Sequence, residues 1–429
     1  MDMFLKNIKL LATPTGTAAK IGKAQREISL VSNAEIGIKG GKIEFVKCGD
    51  DNYIASSNGV DNNAAWLTRT NYNDAKSSAC IIDCEGKLVT PGLVDPHTHL
   101  VFGGWRQSEL KLKLEGMPYL EILKSGGGIL NTVERTRSAG EEELIYKSKE
   151  HLDEMLRLGV TTCEAKSGYG LRTADEIKQL RVIRDLNKIH AIEVVPTFMG
   201  AHAIPKEYSS DRSGYIDLII NEMLPAVADE NLAEFCDVFC ETAVFTIEES
   251  LRILLKAEKY GLIPKIHADE IDPIGGAQIA AQVGAISAEH LIATSDEGIY
   301  AMAEHNVIAV LLPATSFYLD KPYARARSMI DAGVAVAVGS DFNPGSSPSL
   351  NIQLILNLAC LKYKMTPAEV LTAVTLNSAA AINRAHVCGS IEPGKNADIV
   401  IWDAPDLEYI FYRYGSNLAH TVIKNGIVM

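Results

Sequence analysis

Eight short apolar runs constrain this chain more than anything else in it. They begin near Leu88, Val160, Ala191, Asp237, Ile263, Ala285, Val307 and Val334, and longer helical stretches such as Glu141 to Leu158 and Ala174 to Ile189 separate them. Strands spaced this far apart are joined by helical crossovers rather than tight hairpins, which makes neighbouring strands parallel. Eight such strand–helix units predict a closed (β/α)8 barrel. Thr366-Pro367-Ala368-Glu369 opens the final helix with a threonine cap, a proline at its first position and an acidic third residue. In barrels of this kind the chemistry gathers at the C-terminal ends of the strands.

The first run, Leu88-Val89-Thr90-Pro91-Gly92-Leu93-Val94-Asp95-Pro96-His97-Thr98-His99-Leu100, ends in two histidines one residue apart. Side chains alternate along a strand, so His97 and His99 point to the same side. Later runs end in Ile266-His267-Ala268-Asp269-Glu270, Ser287-Ala288-Glu289-His290 and Val338-Gly339-Ser340-Asp341. Neutral imidazole is the commonest ligand of zinc and related ions, and three histidines with one carboxylate can hold a single divalent ion. The expected ligands are His97, His99, His267 and Asp341. A metal site of this type lowers the pKa of water toward neutrality, which suits hydrolysis. Asp341 is then placed both to touch the ion and to accept the water proton. Glu270 can reach the water or the leaving group, and His290 can orient the attacking hydroxide or polarise a carbonyl.

The two ends of the chain have a different texture. Asn7 to Ala12, Ala34 to Ile38 and Lys42 to Val46 read as short strands, and the segments 389–402 and 420–428 read as hairpins. The expectation is a small β-sandwich built from both ends: residues 1–87 and 386–429, flanking a barrel over 88–385. Residues 49–78, rich in Asn, Ser and Asp, look like an excursion from the sandwich without chemistry of their own.

Composition removes several function classes. With 47% hydrophobic and 22% charged residues, the 429-residue chain can bury a large core. A net charge of −13 disfavours a general nucleic-acid binder, and it means that an anionic ligand needs a local cation. The eight cysteines show no CxxC spacing and read as reduced thiols; Cys236 and Cys240 read as buried packing. No run approaches the roughly twenty uncharged residues of a membrane span. Asp2, Lys6 and Lys9 break up the N-terminus, so no signal peptide is expected and the cytoplasm is the expected compartment.

The segment Pro91 to His99, the histidines of the fifth and sixth runs, Asp341 and the closing Gly394-Lys395-Asn396-Ala397-Asp398-Ile399-Val400 resemble the amidohydrolase superfamily. The resemblance spans essentially the whole chain. Four further segments sharpen it: Phe102-Gly103-Gly104-Trp105-Arg106, Lys166-Ser167-Gly168-Tyr169-Gly170-Leu171, Phe198-Met199-Gly200-Ala201-His202 and Ser340-Asp341-Phe342-Asn343-Pro344-Gly345-Ser346. With His267-Ala268-Asp269-Glu270, they look like the members that open 4-imidazolone-5-propanoate to N-formimidoyl-L-glutamate in histidine degradation. The resemblance implies one zinc or iron ion per chain and a homodimer.

That substrate carries a propionate tail and is an anion. Arg106, a fork-shaped donor on the first loop, suits its carboxylate. Tyr169, between glycines, can close over the ring, and His202 can hydrogen-bond ring or tail. Asn343, Gly345 and Ser346, with Glu270, complete the substrate-binding set on the strength of the resemblance. Some relatives bridge two metals with a carboxylated lysine, but the pattern here implies one metal, so Lys166 and Glu164 are expected to support the site from behind. Lys124-Ser125-Gly126-Gly127-Gly128-Ile129 lacks phosphate-loop spacing and reads as a flexible lid. The nearest alternative is an aminohydrolase of a purine or pyrimidine base, which has no carboxylate for Arg106 to clamp. The remote alternative is a catalytically dead interaction protein of the same fold, in which metal ligands are lost; here all four are present.

Overall fold

The computed structural model describes residues 1–48, 55–56, 80–117 and 127–429. Apart from Ala55–Ser56, the 49–78 excursion lies outside the described residues, as do residues 124–126 of the glycine-rich lid.

Eight parallel strands form the barrel: Leu93–Asp95, Val160–Lys166, Glu193–Ala201, Phe235–Cys240, Ile263–Ala268, Ser287–His290, Ile308–Leu311 and Val336–Val338, each paired with the next in chain order. Just beyond the strand ends, the first and eighth meet. Asp341 N donates to His97 O at 3.1 Å and His99 N to Phe342 O at 2.8 Å. Asp95 Oδ1 accepts from Ser340 N at 3.0 Å across the same seam. The seam therefore sets His97, His99 and Asp341 side by side.

The helices between strands obey their own sequences. In Ile247–Lys259, Thr246 and Glu249 make the reciprocal bonds of a capping box, while Ser250, Ile253, Leu254 and Ala257 recur at helical spacing and are buried. Thr366 and Glu369 repeat the device on Pro367–Val374. That helix is not the last, because Leu376–Ala381 and Leu407–Tyr412 follow it.

The ends of the chain pair into one sheet, separate from the barrel. Its order is Ile427–Val428, Ala419–Lys424, Ile399–Trp402, Leu88–Pro91, Met3–Thr13, Ser29–Lys39 and Lys42–Cys48. The sheet curls until its end strand meets the turn before Ile399–Trp402: Ile43 N donates to Lys395 O at 2.9 Å and Gly394 N to Ile43 O at 2.8 Å. Leu5, Ile8, Val31, Ile36, Val89, Ile399 and Ile423 fill the space enclosed.

Two readings need correction here. Leu88–Pro91 belongs to the terminal sheet, in parallel with Met3–Thr13, and the first barrel strand starts only at Leu93. Pro91 and Gly92 break the apolar run between them, so one continuous run feeds two sheets. The segment 389–402 supplies a single strand, not a hairpin, because its tight turn reaches across to Ile43 rather than back on itself.

Candidate active site

Four histidines converge at the C-terminal rim. His97 and His99 follow the first strand, His267 is next to last in the fifth and His290 ends the sixth. The His97 ring lies 4.6 Å from that of His267, 5.4 Å from His99 and 5.6 Å from His290, centroid to centroid. Asp341 Oδ1 sits 3.5 Å from His97 Nε2 and 3.7 Å from His99 Nε2. All five residues are buried. Two overlapping donor groups result, His97–His99–Asp341 and His97–His267–His290, each with its ligand atoms within 4.8 Å of one another.

The free atoms are informative. Burial holds the pKa of His97, His99, His202, His267 and His290 below that of an ordinary imidazole, down to about 3 for His267 and about 4 for His202, so these rings are neutral. Among the described residues, His97 Nε2, His99 Nδ1, His267 Nε2 and His290 Nδ1 have no hydrogen-bond partner. Buried polar atoms without partners are costly, and neutral imidazole nitrogens grouped with a carboxylate are what a divalent cation requires. The donor set fits a metal.

Side chains behind the rings fix which nitrogen faces the centre. Glu289 Oε2 lies 2.8 Å from His97 Nδ1, and Asp237 Oδ1 lies 3.1 Å from His267 Nδ1, so each carboxylate orients its ring with Nε2 inward. Asp341 Oδ2 accepts from Thr315 Oγ1 at 2.5 Å. Burial pushes the Asp341 carboxyl up to about 6, although nearby His290 opposes it. His290 and Asp341 both hold left-handed backbone, φ +68° and +51°, a conformation uncommon outside glycine that recurs at functional sites.

Glu270 stands on the loop past His267, with Oε2 3.8 Å from His290 Nε2. Burial, and then the charge of Glu241, push its carboxyl up to about 7. Two acidic residues build that loop. Glu241 accepts from Ile271 N at 2.8 Å, and Asp269 takes Gly275 N, Gly276 N and Thr294 Oγ1 at 2.9–3.1 Å.

The residues expected to bind substrate divide into two groups. His202 stacks on His99 at 4.8 Å, and Tyr169 lies 5.8 Å from His99 and 5.2 Å from His202, so both reach the histidine centre. Glu176 holds the Tyr169 loop by accepting from Gly168 N, Gly170 N and Leu171 N at 2.7–2.9 Å. Arg106 lies under the loop after the eighth strand: a Cβ on Gly345 would fall 2.2 Å from its Nη1. The Asn343 side chain is used within its own loop. It donates to Asp341 O at 2.7 Å and to Ser346 Oγ at 2.9 Å, and it accepts from Gly345 N and Ser346 N at 2.8 and 2.7 Å. It shapes the loop that carries Gly345 and Ser346.

Lys166 and Glu164 stand behind the histidines. Lys166 Nζ lies 2.7 Å from Glu164 Oε1 and 2.8 Å from Asp237 Oδ2. Burial works against its charge, yet Asp237 and Glu164 outweigh burial and keep it protonated. Asp237, Lys265, Glu289, Glu241, Glu109 and Glu176 received no role in the sequence reading. A signal existed for three of them: Asp237, Lys265 and Glu289 are charged residues inside apolar strand runs, where ionic groups are expensive.

An eight-stranded parallel barrel with histidines and an aspartate gathered at its C-terminal rim defines the class of metal-dependent barrel hydrolases. The amidohydrolase family model matches residues 88–428. The imidazolonepropionase of Alkaliphilus metalliredigens is 52% identical over 428 residues, 99% of this chain and 97% of that protein. That of Brevibacillus brevis is 51% identical, covering 100% of this chain and 97% of the relative. Escherichia coli guanine deaminase shares the fold, with a TM-score of 0.71 at 14% identity over 100% of this chain and 98% of that one. So does 5-methylcytosine deaminase from Klebsiella pneumoniae, with a TM-score of 0.68 at 18% identity over 100% and 97%. The chain belongs to the amidohydrolase family and, within it, to the imidazolonepropionase group.

Proposed function

We propose that this chain hydrolyses the cyclic amide of 4-imidazolone-5-propanoate, giving N-formimidoyl-L-glutamate. Water adds to the ring carbonyl carbon, the ring C–N bond breaks, the carbonyl becomes a carboxylate, and the ring nitrogen leaves with a proton. The observation that carries this reading is one constellation: Glu270, His290 and Asp341 in a cluster of neutral histidines that each keep one unpartnered ring nitrogen, in a chain 52% identical to an imidazolonepropionase.

His97, His99, His267 and Asp341 would hold one ion, zinc or iron, which when bound supplies Lewis acidity to the carbonyl and the attacking water. Glu270 takes the proton from the water and returns it to the departing ring nitrogen. A carboxyl near 7 is matched to both halves of that transfer at neutral pH. His290 donates to the carbonyl oxygen as negative charge develops there, and Asp341 is the second proton acceptor in reach. Tyr169 and His202 cover the ring beside His99. Arg106 draws in and aligns the propionate, while Gly345 and Ser346 line its approach.

The same reading places the enzyme in the cytoplasm as a homodimer acting on a small anion, with no nucleic-acid or membrane partner. Eight free cysteines support a reducing compartment, and among the described residues no helix is long and apolar enough to cross a membrane. The barrel division at 88–385 is proposed with a boundary that the Leu88–Pro91 strand shares with the terminal sheet.

The test is direct. Purified protein added to 4-imidazolone-5-propanoate should abolish the ring's ultraviolet absorbance. Unchanged absorbance, together with ammonia release from a purine or pyrimidine base, would replace this reading with a deaminase.

A further inference from the structure

Five ionisable side chains occupy the barrel interior beneath the histidines. Glu164, Lys166, Asp237, Lys265 and Glu289 each expose 0% of their surface. Barrel interiors are ordinarily filled by layers of branched aliphatic side chains, which pack as well and avoid the cost of stripping water from ions. A set of charges in that place calls for a role other than filling.

The contacts run in two branches from one carboxylate oxygen. Glu164 Oε1 lies 2.7 Å from Lys166 Nζ and 3.1 Å from Lys265 Nζ, and it also accepts from Thr197 Oγ1 at 2.6 Å. Along one branch, Lys166 Nζ lies 2.8 Å from Asp237 Oδ2, and Asp237 Oδ1 takes His267 Nδ1. Along the other, Lys265 Nζ lies 3.6 Å from Glu289 Oε1, where Ser287 Oγ also donates at 2.5 Å, and Glu289 Oε2 takes His97 Nδ1. Strand periodicity places the parts: Glu164 and Lys166 are two apart on the second strand, Lys265 and His267 two apart on the fifth. Each branch ends on an imidazole whose other nitrogen is unpartnered and faces the centre.

We infer that Glu164, Lys166, Asp237, Lys265 and Glu289 form a positioning relay that fixes His97 and His267 together in the tautomer and orientation that bind a divalent cation. This rests on the proposal that those two histidines are ligands. The relay touches no substrate. Because both branches share Glu164 Oε1, a change at either lysine is felt at both histidines.

Zinc affinity, read by competition with a chelator on metal-stripped protein, separates the possibilities. Glu289→Gln and Asp237→Asn keep shape and remove charge, and Lys265→Met breaks one branch above its histidine. Each should weaken zinc binding by roughly 10–100-fold, the usual worth of partners behind metal ligands. Asp398→Asn is the control: it breaks the buried 2.8 Å pair with Lys424 in the terminal sheet, and should lower the thermal midpoint while leaving zinc affinity unchanged. Relay variants that stay folded and bind zinc within about threefold of wild type would overturn the inference. Should a charge variant fail to fold, Ser287→Ala and Thr197→Val remove one bond each to Glu289 and Glu164 and must weaken zinc binding for the relay to stand. His97→Ala guards the underlying assignment. If it binds zinc normally, the ligand assignment fails; if it loses zinc while the relay variants do not, only the relay fails.

Discussion

Glu109 grips Arg106 through two bonds, with Nε 3.0 Å from Oε1 and Nη2 2.9 Å from Oε2. The same carboxylate accepts from Gly128 N at 2.7 Å, and Lys113, with Glu109 on the short helix Glu109–Leu114, donates to Gly345 O at 3.1 Å. The first loop, the start of the Ile129–Ser138 helix and the loop after the eighth strand are thereby tied around one guanidinium. Arg106 is held in place before any ligand arrives, which cuts the entropy lost on binding.

Arg106→Ala should therefore lower kcat/KM by roughly 2–5 kcal/mol, the range for breaking a desolvated charged pair. Arg106→Lys should fall between it and wild type, since it keeps charge but loses the fork. An analogue lacking the propionate carboxylate should be a poor substrate for wild type, and the alanine variant should lose less on it than on the full substrate. Equal losses on both compounds would make Arg106 structural and pass the tail to Tyr169 and His202.

Glu270→Gln should leave metal content and substrate affinity nearly unchanged while kcat falls by about 10²–10⁴, the usual contribution of a positioned acid–base group. Steady-state kinetics alongside elemental analysis of the same preparation check this. A variant that keeps more than about a tenth of the rate moves the proton transfer to His290 or Asp341.

Elemental analysis of wild type should find one equivalent of metal per chain, and His97→Ala or His267→Ala should lose it. Lys166 is ion-paired on both sides and held protonated, so it is unsuited to carboxylation and to bridging a second metal. Two tightly bound equivalents would reverse that conclusion.

His151 should make the fold sensitive to mild acid. Its ring packs among Phe342, Phe102 and Trp105, at 4.9, 5.2 and 5.5 Å between centroids. Burial there lowers its pKa to about 4. The unfolded chain takes up this proton near pH 6.5 and the folded chain only near 4, so stability is full above pH 6.5 and falls between those values. The loss is on the order of 2–3 kcal/mol by pH 4. Other buried histidines titrate in the same direction, so the comparison is with His151→Phe: across pH 6.5 to 4, the thermal midpoint of metal-free wild type should drop further than the variant's. Parallel curves would show that the His151 ring gains its proton without opposing the fold.

What the sequence determined follows from local rules. Apolar runs of strand length alternating with amphipathic helices left a parallel barrel as the economical solution, and polar residues at the ends of those runs had to appear at its C-terminal rim. His97 and His99 share a face because side chains alternate along the extended segment that follows the first strand, and the Thr366–Glu369 cap is written in four residues. Tertiary structure alone decided which distant groups meet. Nothing near Arg106 announces that the loop of Gly345 will lie over it, and nothing near His97 announces Glu289, 192 positions away. The split of the run at Pro91-Gly92 between two sheets also depended on a partner, Ile399–Trp402, supplied by the far end of the chain. The physical reason is the same in each case. Periodicity reports which side of its own element a residue occupies, whereas hydrogen bonds and ion pairs across a closed barrel depend on the register between strands, which forms only when the barrel closes.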